Sequence, residues 1–408
     1  MRHLNRYLGL QQTVPLIDEP AEVNLALTTV IPCMHEPAML ELLDHLRSRD
    51  MPDAAVEIIV VINHPCDAPD AVRQSNARTL DQITVWQRKH NHPIFKVHVI
   101  AATGLAKQAC GVGIARKIGM DEAMRRFASL ERADGIIASL DADCLVSTNY
   151  FTALLRAFTA RPDIHAITTA YSHRIDELHD ARHRQAMIGY ELFLRYIELG
   201  WLYAGLPYAF TAIGSCFAVR ANACARHHSM NKRQAGEDFY FLHKLARERP
   251  LGHIAEVCVY PSARMSSRTP FGTGQAVSDW YCGKQTIWPV CAPQAFAQLK
   301  QMRDNLDQLF HMETETWLAS LSEPLRLYLQ AYHIDQAVTG MRANAASSTG
   351  FRRRFFFWFD GLKAWRYVNQ QVVVPVEQAL ASLLQMMDMS PVSDNAEKLL
   401  LQLRRTRP

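Results

Sequence analysis

The chain has 408 residues, of which 49% are apolar and 21% charged, so it is long enough for one large folded domain with additions or for two domains. The net charge of +4 is modest for this length and gives no argument for a nucleic-acid partner. The 9 cysteines form no CxxC pair and no zinc-ligand spacing, and the amino-terminal stretch lacks an apolar signal-peptide core, which predicts a cytoplasmic protein with reduced thiols.

Buried strands and amphipathic helices alternate through the first part of the chain. Residues 1–24 are mixed in character and predict an arm lying on the following domain. The alternation after them predicts an α/β fold with a mostly parallel, Rossmann-like sheet that is flanked by helices. The predicted strands are Leu25–Ile31, Val56–Ile62, Phe95–Ala101, 136–141, Ala166–Tyr171, Ala212–Arg220 and Ile254–Tyr260.

The carboxyl-terminal part of the chain has a different pattern. We therefore predict an arm over residues 1–24, an α/β domain over 25–290 and a helical appendage over 291–408. From residue 300 onward the sequence predicts helices and no clear strand. The predicted helices there are Glu313–Tyr332, Arg352–Asn369 and Val374–Met386.

Two carboxylates, Asp141 and Asp143, follow the strand that begins at Ile136. They stand where a strand ends, and ligands of open α/β sheets usually bind at that edge. Paired carboxylates can hold a divalent cation there, and the cation can hold a diphosphate. The alternative is that both aspartates cap the next helix.

A second acidic pair, Glu237 and Asp238, stands about 95 residues further on at a predicted helix start. Acids in the first turn of a helix complement its dipole, which is one interpretation of the pair. The other is a site in which a carboxylate takes a proton from a hydroxyl group. Both interpretations can hold together.

Five short motifs, in this order and spacing, resemble those of the family 2 glycosyltransferases, which share the GT-A fold. The resemblance covers roughly residues 25–275 and implies a GT-A-like catalytic domain. The motifs are Thr29–Glu36, Gly111–Gly119, Asp141-Ala-Asp143, Gly214–Arg220 and Gly236-Glu-Asp238.

The resemblance implies an inverting enzyme that moves a sugar from a nucleotide-diphosphate sugar to an acceptor hydroxyl. It implies that Asp143 is the metal ligand, with Asp141 assisting, for Mg²⁺ or Mn²⁺. Asp238 is then the general base and Glu237 orients the acceptor. The acceptor is left open between a glycan, a lipid-linked molecule and a small molecule.

Further residues are predicted to line the nucleotide side of the site. The family often has aspartate where Asn63 stands and a histidine ligand where the chain has Ser262 instead, so the base and the third metal ligand are left open. For the arginines, a surface charge or a plain linker is the alternative interpretation. The predicted nucleotide-side residues are Glu36, Asn63, Arg116, Asp141, Arg264 and Arg268.

Residues 351–367 mix arginines and aromatic residues densely. Such a segment packs on the protein with its arginines pointing outward, which we favour, or lies on a membrane surface. The second interpretation would give peripheral contact with the inner face of the membrane.

These observations predict a glycosyltransferase of the hexosyltransferase type. A nucleotidyltransferase is one alternative, but no Gly-rich basic loop follows the first strand. A non-catalytic nucleotide- or glycan-binding module on the same fold is another, although the intact acidic pairs argue against it.

Overall fold

A computed structural model describes residues 1–12, 14–107, 110–231, 236–266, 272–391, 393 and 395–405. The chain forms two compact units. The sheet unit comprises Met1–Leu178, Ala212–Leu245 and Leu251–Gln275. The helical unit comprises His179–Thr211, Ala246–Pro250 and Ala276–Pro408.

The sheet unit contains an eight-stranded sheet with the order β3-β2-β1-β4-β7-β6-β8-β5. The pairs β1–β2, β1–β4, β2–β3 and β6–β8 are parallel, whereas β7 and β5 run against their neighbours. The predicted α/β fold with a mostly parallel sheet is therefore confirmed. The strands are β1 (Leu25–Cys33), β2 (Ala55–Pro65), β3 (Phe95–Leu105), β4 (Ile136–Ser139), β5 (Leu145–Val146), β6 (Ala166–Tyr171), β7 (Phe217–Arg220) and β8 (Gly252–Tyr260).

Helices flank this sheet and make up most of the helical unit. A short 3₁₀ turn, Ile175–Glu177, also follows β6. The helices are α1 (Arg2–Gln11), α2 (Met39–Arg47), α3 (Asp70–His90), α4 (Val112–Ser129), α5 (Tyr150–Ala160), α6 (Ala181–Ala204), α7 (Ala221–Arg226), α8 (Glu237–Glu248), α9 (Thr273–Tyr281), α10 (Gln294–Asp304), α11 (Leu306–Leu309), α12 (Thr314–Ala319), α13 (Glu323–Ala331), α14 (Ile334–Ala343), α15 (Ser348–Trp358), α16 (Gly361–Val368), α17 (Val376–Met386) and α18 (Ala396–Arg405).

The core of the sheet unit lies around β1 and β2, because α3 and α4 cover these central strands. Every residue of β1 is buried, as the mostly apolar sequence of this strand predicted. One acid, Glu57, is also fully buried in β2. Arg126 of α4 donates from Nε to its Oε2 at 2.6 Å and from Nη2 to its Oε1 at 2.5 Å. This two-pronged pair neutralises a charge that would otherwise be costly inside the core.

The strand directions bring several chain segments to one edge of the sheet. Strands β1 and β4 run in parallel with Val30 beside Ser139, so the segments that follow both strands meet there. Strand β7 runs the opposite way and places Phe217 beside Ser139, so the residues before β7 lie at the same edge. This edge is where an open α/β sheet binds its ligands.

The amino-terminal segment contains a helix that the sequence did not predict. Helix α1 packs on α4 and α7 and buries Leu4 and Tyr7. The Tyr7 hydroxyl donates to Asp121 Oδ1 at 3.0 Å, and Lys117 Nζ donates to Asp121 Oδ2 at 2.7 Å. Lys117 therefore binds an acid of its own helix beside α1.

The prediction of no clear strand beyond residue 300 is wrong. Strand β10 (Val373–Pro375) pairs antiparallel with β9 (Pro289–Cys291). Its β-branched valines favour an extended backbone over a helix. The predicted helix Arg352–Asn369 is also divided, because Asp360 Oδ1 accepts a hydrogen bond from Lys363 N and begins a new helix.

The aromatic residues of 351–367 contribute to the core of the helical unit. Phe351, Phe355, Phe359 and Tyr367 are fully buried. Phe357 is 62% exposed, with the Arg247 guanidinium 5.0 Å from its ring centre. Along the described ranges, no helix has the length and apolar character that crossing a membrane requires. Peripheral membrane contact through this segment stays a prediction.

Candidate functional site

The predicted acids lie in two groups of side chains in the sheet unit. Asp141 and Asp143 follow β4, Glu36 follows β1, and Glu237 and Asp238 begin α8. One arginine pairs with two acids in each group. We call them the Arg116 cluster (Arg116, Asp141, Glu237 and Asp238) and the Arg264 cluster (Arg264, Glu36 and Asp143).

The guanidinium of Arg116 joins the two acidic motifs that the sequence places about 95 residues apart. Its Nη1 donates to Glu237 Oε1 and its Nη2 donates to Asp141 Oδ1. Its side chain is only 4% exposed. Burial alone would lower the pKa of Arg116, but the carboxylates of Asp141 and Glu237 raise it above its ordinary value. Arg116 therefore remains a cation that holds the end of β4 against the start of α8.

Gly214 leaves the space in which this guanidinium lies. A Cβ atom on residue 214 would be 2.2 Å from Arg116 Nη2 and 2.5 Å from its Cζ. Any other residue at position 214 would push the guanidinium away from its carboxylates. The residues before β7 thus contribute a glycine rather than a polar side chain to the cluster.

Asp238 is the acid of the Arg116 cluster whose protonation is most changed by its surroundings. Burial raises the pKa of Asp238 to about 6, with a further rise from the neighbouring Glu237 and an opposing effect of Arg116. Its Oδ1 accepts a hydrogen bond from Phe239 N at 2.7 Å. A carboxylate with this pKa is ionised at neutral pH and is a better proton acceptor than an exposed aspartate.

In the Arg264 cluster, one guanidinium pairs with acids from two strands. Arg264 donates from Nη1 to Glu36 Oε2 at 2.9 Å and from Nη2 to Glu36 Oε1 at 2.5 Å. The same Nη2 lies 3.0 Å from Asp143 Oδ2. Burial raises the pKa of Asp143 to about 6, Asp141 raises it further, and Arg264 opposes this rise. Burial also raises the pKa of Glu36, again against the effect of Arg264.

The acids around Asp143 have the oxygen chemistry that Mg²⁺ and Mn²⁺ prefer. No three histidine, cysteine, aspartate or glutamate side chains are grouped closely enough within the described ranges to hold a metal ion by themselves. Magnesium is commonly bound by one or two carboxylates together with substrate phosphates. Asp143, assisted by Asp141, fits such a shared site, whereas a cage made only of protein ligands does not fit.

Asn63, a predicted site residue, lies outside both clusters. The Asn63 side chain donates to Gly111 O at 3.2 Å and braces the start of α4, so its contact with a nucleobase stays a prediction. Arg268 lies outside the described residues. The sequence predicts Glu36, Arg116 and Arg264 on the nucleotide side of the site, and that role stays a prediction.

The sequence reasoning missed two residues that position the site. Arg174, shortly after β6, donates from Nη2 to the main-chain oxygen of Asp143 at 3.0 Å. Asn76 of α3 accepts from His35 N at 2.8 Å and donates to Asn63 O at 3.1 Å, which fixes the residue preceding Glu36. Arg174 could have been predicted, because it is a cation that closely follows the predicted strand β6. Nothing in the sequence marks Asn76.

Comparison with known proteins found likenesses only among solved structures, since no protein-family model and no curated protein matches the chain. The structure of S. aureus TarS 1-349 in complex with UDP-GlcNAc is 12% identical with a TM-score of 0.42, covering 82% of this chain and 91% of that one. The structure of the mannosyltransferase PcManGT from Pyrobaculum calidifontis in complex with GDP-Man and Mn²⁺ is 13% identical with a TM-score of 0.36. The match covers 99% of this chain and 93% of that one. At these identities and TM-scores, the case for a function rests on the side chains of the site.

The Gly214→Ala substitution should destabilise the protein because its Cβ displaces the Arg116 guanidinium from two carboxylates. We expect the free energy of unfolding to fall by about 1–3 kcal/mol, measured by urea denaturation. Gly340→Ala in α14 is the matched control, since no atom lies within 4 Å of its added Cβ. It should be neutral or stabilising by up to about 1 kcal/mol. Equal effects of the two substitutions would contradict the close approach at Gly214.

The Asp238→Asn substitution should stabilise the protein at neutral pH. Because the pKa of Asp238 is raised in the folded state, ionisation of this group lowers stability as pH rises from about 4, the ordinary aspartate value, to about 6, and this loss is complete at neutral pH. Asparagine does not ionise, so we expect the melting temperature at pH 7.5 to rise by roughly 2–4 °C and the gain to disappear below pH 4. The exposed Asp81→Asn in α3 is the control and should change stability by less than about 0.5 kcal/mol. A destabilised Asp238→Asn protein at pH 7.5 would contradict this account of Asp238.

Proposed function

We propose that this protein is an inverting glycosyltransferase that moves a sugar from a nucleotide-diphosphate sugar to an acceptor hydroxyl. The observation that carries the proposal is the coupling of two acidic sites by one buried arginine. Arg116 pairs with Asp141 of the acidic turn after β4 and with Glu237, the neighbour of Asp238. A donor-binding acid and a proton-accepting acid are thereby held in one cluster.

Asp238 supplies the general base. A sugar hydroxyl is a weak nucleophile at neutral pH, so its attack on the anomeric carbon needs a group that takes its proton. With a pKa of about 6, Asp238 is both ionised and basic enough for this at neutral pH. Glu237, held by Arg116, fixes the start of α8 and orients the acceptor. Attack by the acceptor itself, without a protein nucleophile, inverts the anomeric configuration.

Asp143, Asp141 and the Arg264 cluster form the donor side. A divalent cation bound at Asp143 would neutralise the charge that develops on the departing diphosphate. Asp143 and Asp141 would hold this cation as Mg²⁺ or Mn²⁺, and Arg264 would supply a second positive charge to the diphosphate. Glu36 keeps Arg264 in place at the end of β1.

The donor site is tested by ligand-induced stabilisation. A ligand that binds only the folded state raises its apparent stability by about 2.7 kcal/mol at one hundred times its Kd. With Mn²⁺ present, one member of a panel that includes UDP, GDP, UDP-GlcNAc and GDP-Man should raise the melting temperature by several degrees. The shift should disappear in Asp143→Ala and persist in the control Asp81→Ala. No shift with any of these ligands, or an equal shift in Asp143→Ala, would contradict the donor site.

The general base is tested by the pH dependence of transfer with the donor found in that screen. Asp238 must be ionised to accept a proton, so kcat/KM should rise with pH and level off above about 6. Asp238→Asn should lower kcat by about 10²–10⁴-fold while the nucleotide-induced melting shift remains. Asp81→Asn should match the wild type. Full turnover by Asp238→Asn would remove Asp238 as the base, and nucleotide binding without turnover in any condition would favour a binding module.

A further inference from the structure

Arg264 occupies a position that conflicts with the binding of a cation by Asp143 alone. Its Nη2 lies 3.0 Å from Asp143 Oδ2 and 2.5 Å from Glu36 Oε1. A guanidinium and a divalent cation repel each other, and both need the same negative oxygens. While Arg264 stays there, it occupies Oδ2 of Asp143 and weakens the binding of a cation by the same carboxylate.

The departure of Arg264 is unfavourable while no new partner is present. Glu36 is the more buried member of its pair, since its side chain is 8% exposed compared with 36% for Arg264. Removing the guanidinium would leave a nearly buried carboxylate without its two hydrogen bonds. Arg264 is therefore kept on the carboxylates in the ligand-free protein.

A nucleotide diphosphate removes this conflict. Its phosphate oxygens give an arginine the planar, two-pronged contacts that guanidinium groups favour, and they also supply oxygen ligands to Mg²⁺ or Mn²⁺. Arg264 can then exchange Asp143 for phosphate without losing its charge pairing. The 36% exposure of its side chain shows that this guanidinium is accessible from solvent.

We propose that Arg264 takes the place of the divalent cation in the ligand-free protein, so that cation and nucleotide diphosphate bind together rather than singly. This inference rests on the proposed function, because it concerns the same donor site. Arg264 is thus a positioning residue that couples the two ligands, and thermodynamic linkage requires each ligand to strengthen the binding of the other by the same factor.

The test measures the binding of Mn²⁺ to the full chain by the loss of the free-ion EPR signal, with and without saturating UDP or GDP. Wild type should bind Mn²⁺ weakly alone and at least about tenfold more tightly with the nucleotide. Arg264→Ala should bind Mn²⁺ alone at least about tenfold more tightly than wild type and should bind the nucleotide more weakly. A merely structural role would not move the two affinities in opposite directions.

Two further variants protect this test against misfolding and against general charge effects. Arg264→Gln removes the charge but keeps donors for Glu36, and it should behave as Arg264→Ala does. Arg174→Gln is the matched control, since Arg174 contacts Asp143 through the main-chain oxygen at 3.0 Å rather than through the carboxylate. Its effect on the binding of Mn²⁺ alone should be much smaller than that of Arg264→Gln.

The possible outcomes separate this inference from the proposed function. If the nucleotide binds with Mn²⁺ and needs Asp143, but both Arg264 variants bind Mn²⁺ alone as wild type does, the place-holding role of Arg264 is overturned and the donor site stands. Equal gains in Arg174→Gln and Arg264→Gln would also overturn it, because general charge would explain both. If no nucleotide binds to wild type in any condition, the donor site and this inference fail together.

Discussion

The buried guanidinium of Arg116 is the interaction on which the arrangement of the site depends. It lies between Asp141 and Glu237, which stand about 95 residues apart in the sequence, and its side chain is 4% exposed. A buried cation without these acids would be costly, and so would the acids without the cation. The end of β4 and the start of α8 are consequently held together by charges that cannot be separated cheaply. The guanidinium of Arg116 also needs the glycine at position 214, because a Cβ atom there would overlap with it.

In the Arg264 cluster an arginine also pairs with two acids, but this arginine is more exposed to solvent than Arg116. Arg116 is enclosed and braces two acids, whereas Arg264 is 36% exposed, which is why we propose that it exchanges partners. Both Asp143 and Asp238 have pKa values of about 6, mainly because of burial. An acid with a raised pKa lowers the stability of the folded protein when it is ionised at neutral pH. Residues of functional sites commonly carry such a cost in stability. The two arginines therefore differ in their exposure to solvent although each pairs with two acids.

Much of the fold could be predicted because strong periodic signals determine it. The mostly apolar runs of β1 and β2 indicate strands buried on both faces, and the carboxylates after β4 predict the edge of the sheet at which ligands bind. Weaker elements could not be predicted. Strand β10 has three residues and depends on its pairing with β9, and helix α1 depends on burying Leu4 and Tyr7 against other helices. Such elements are selected by tertiary contacts rather than by local preference.

The partners of the site residues were harder to predict than the residues themselves. The sequence indicated that Arg116 and Arg264 are cations near a sheet edge, but it did not show which carboxylate each would bind. That choice depends on the reversal of β7, which brings Gly214 to the end of β4, and on the path after β8, which brings Arg264 to Glu36. A family pattern that expects a histidine after the last strand suggests a missing ligand at Ser262. In the structure, Arg264 pairs with Glu36 and Asp143 in this region. The chain therefore offsets the negative charge of these acids with an arginine two residues after Ser262.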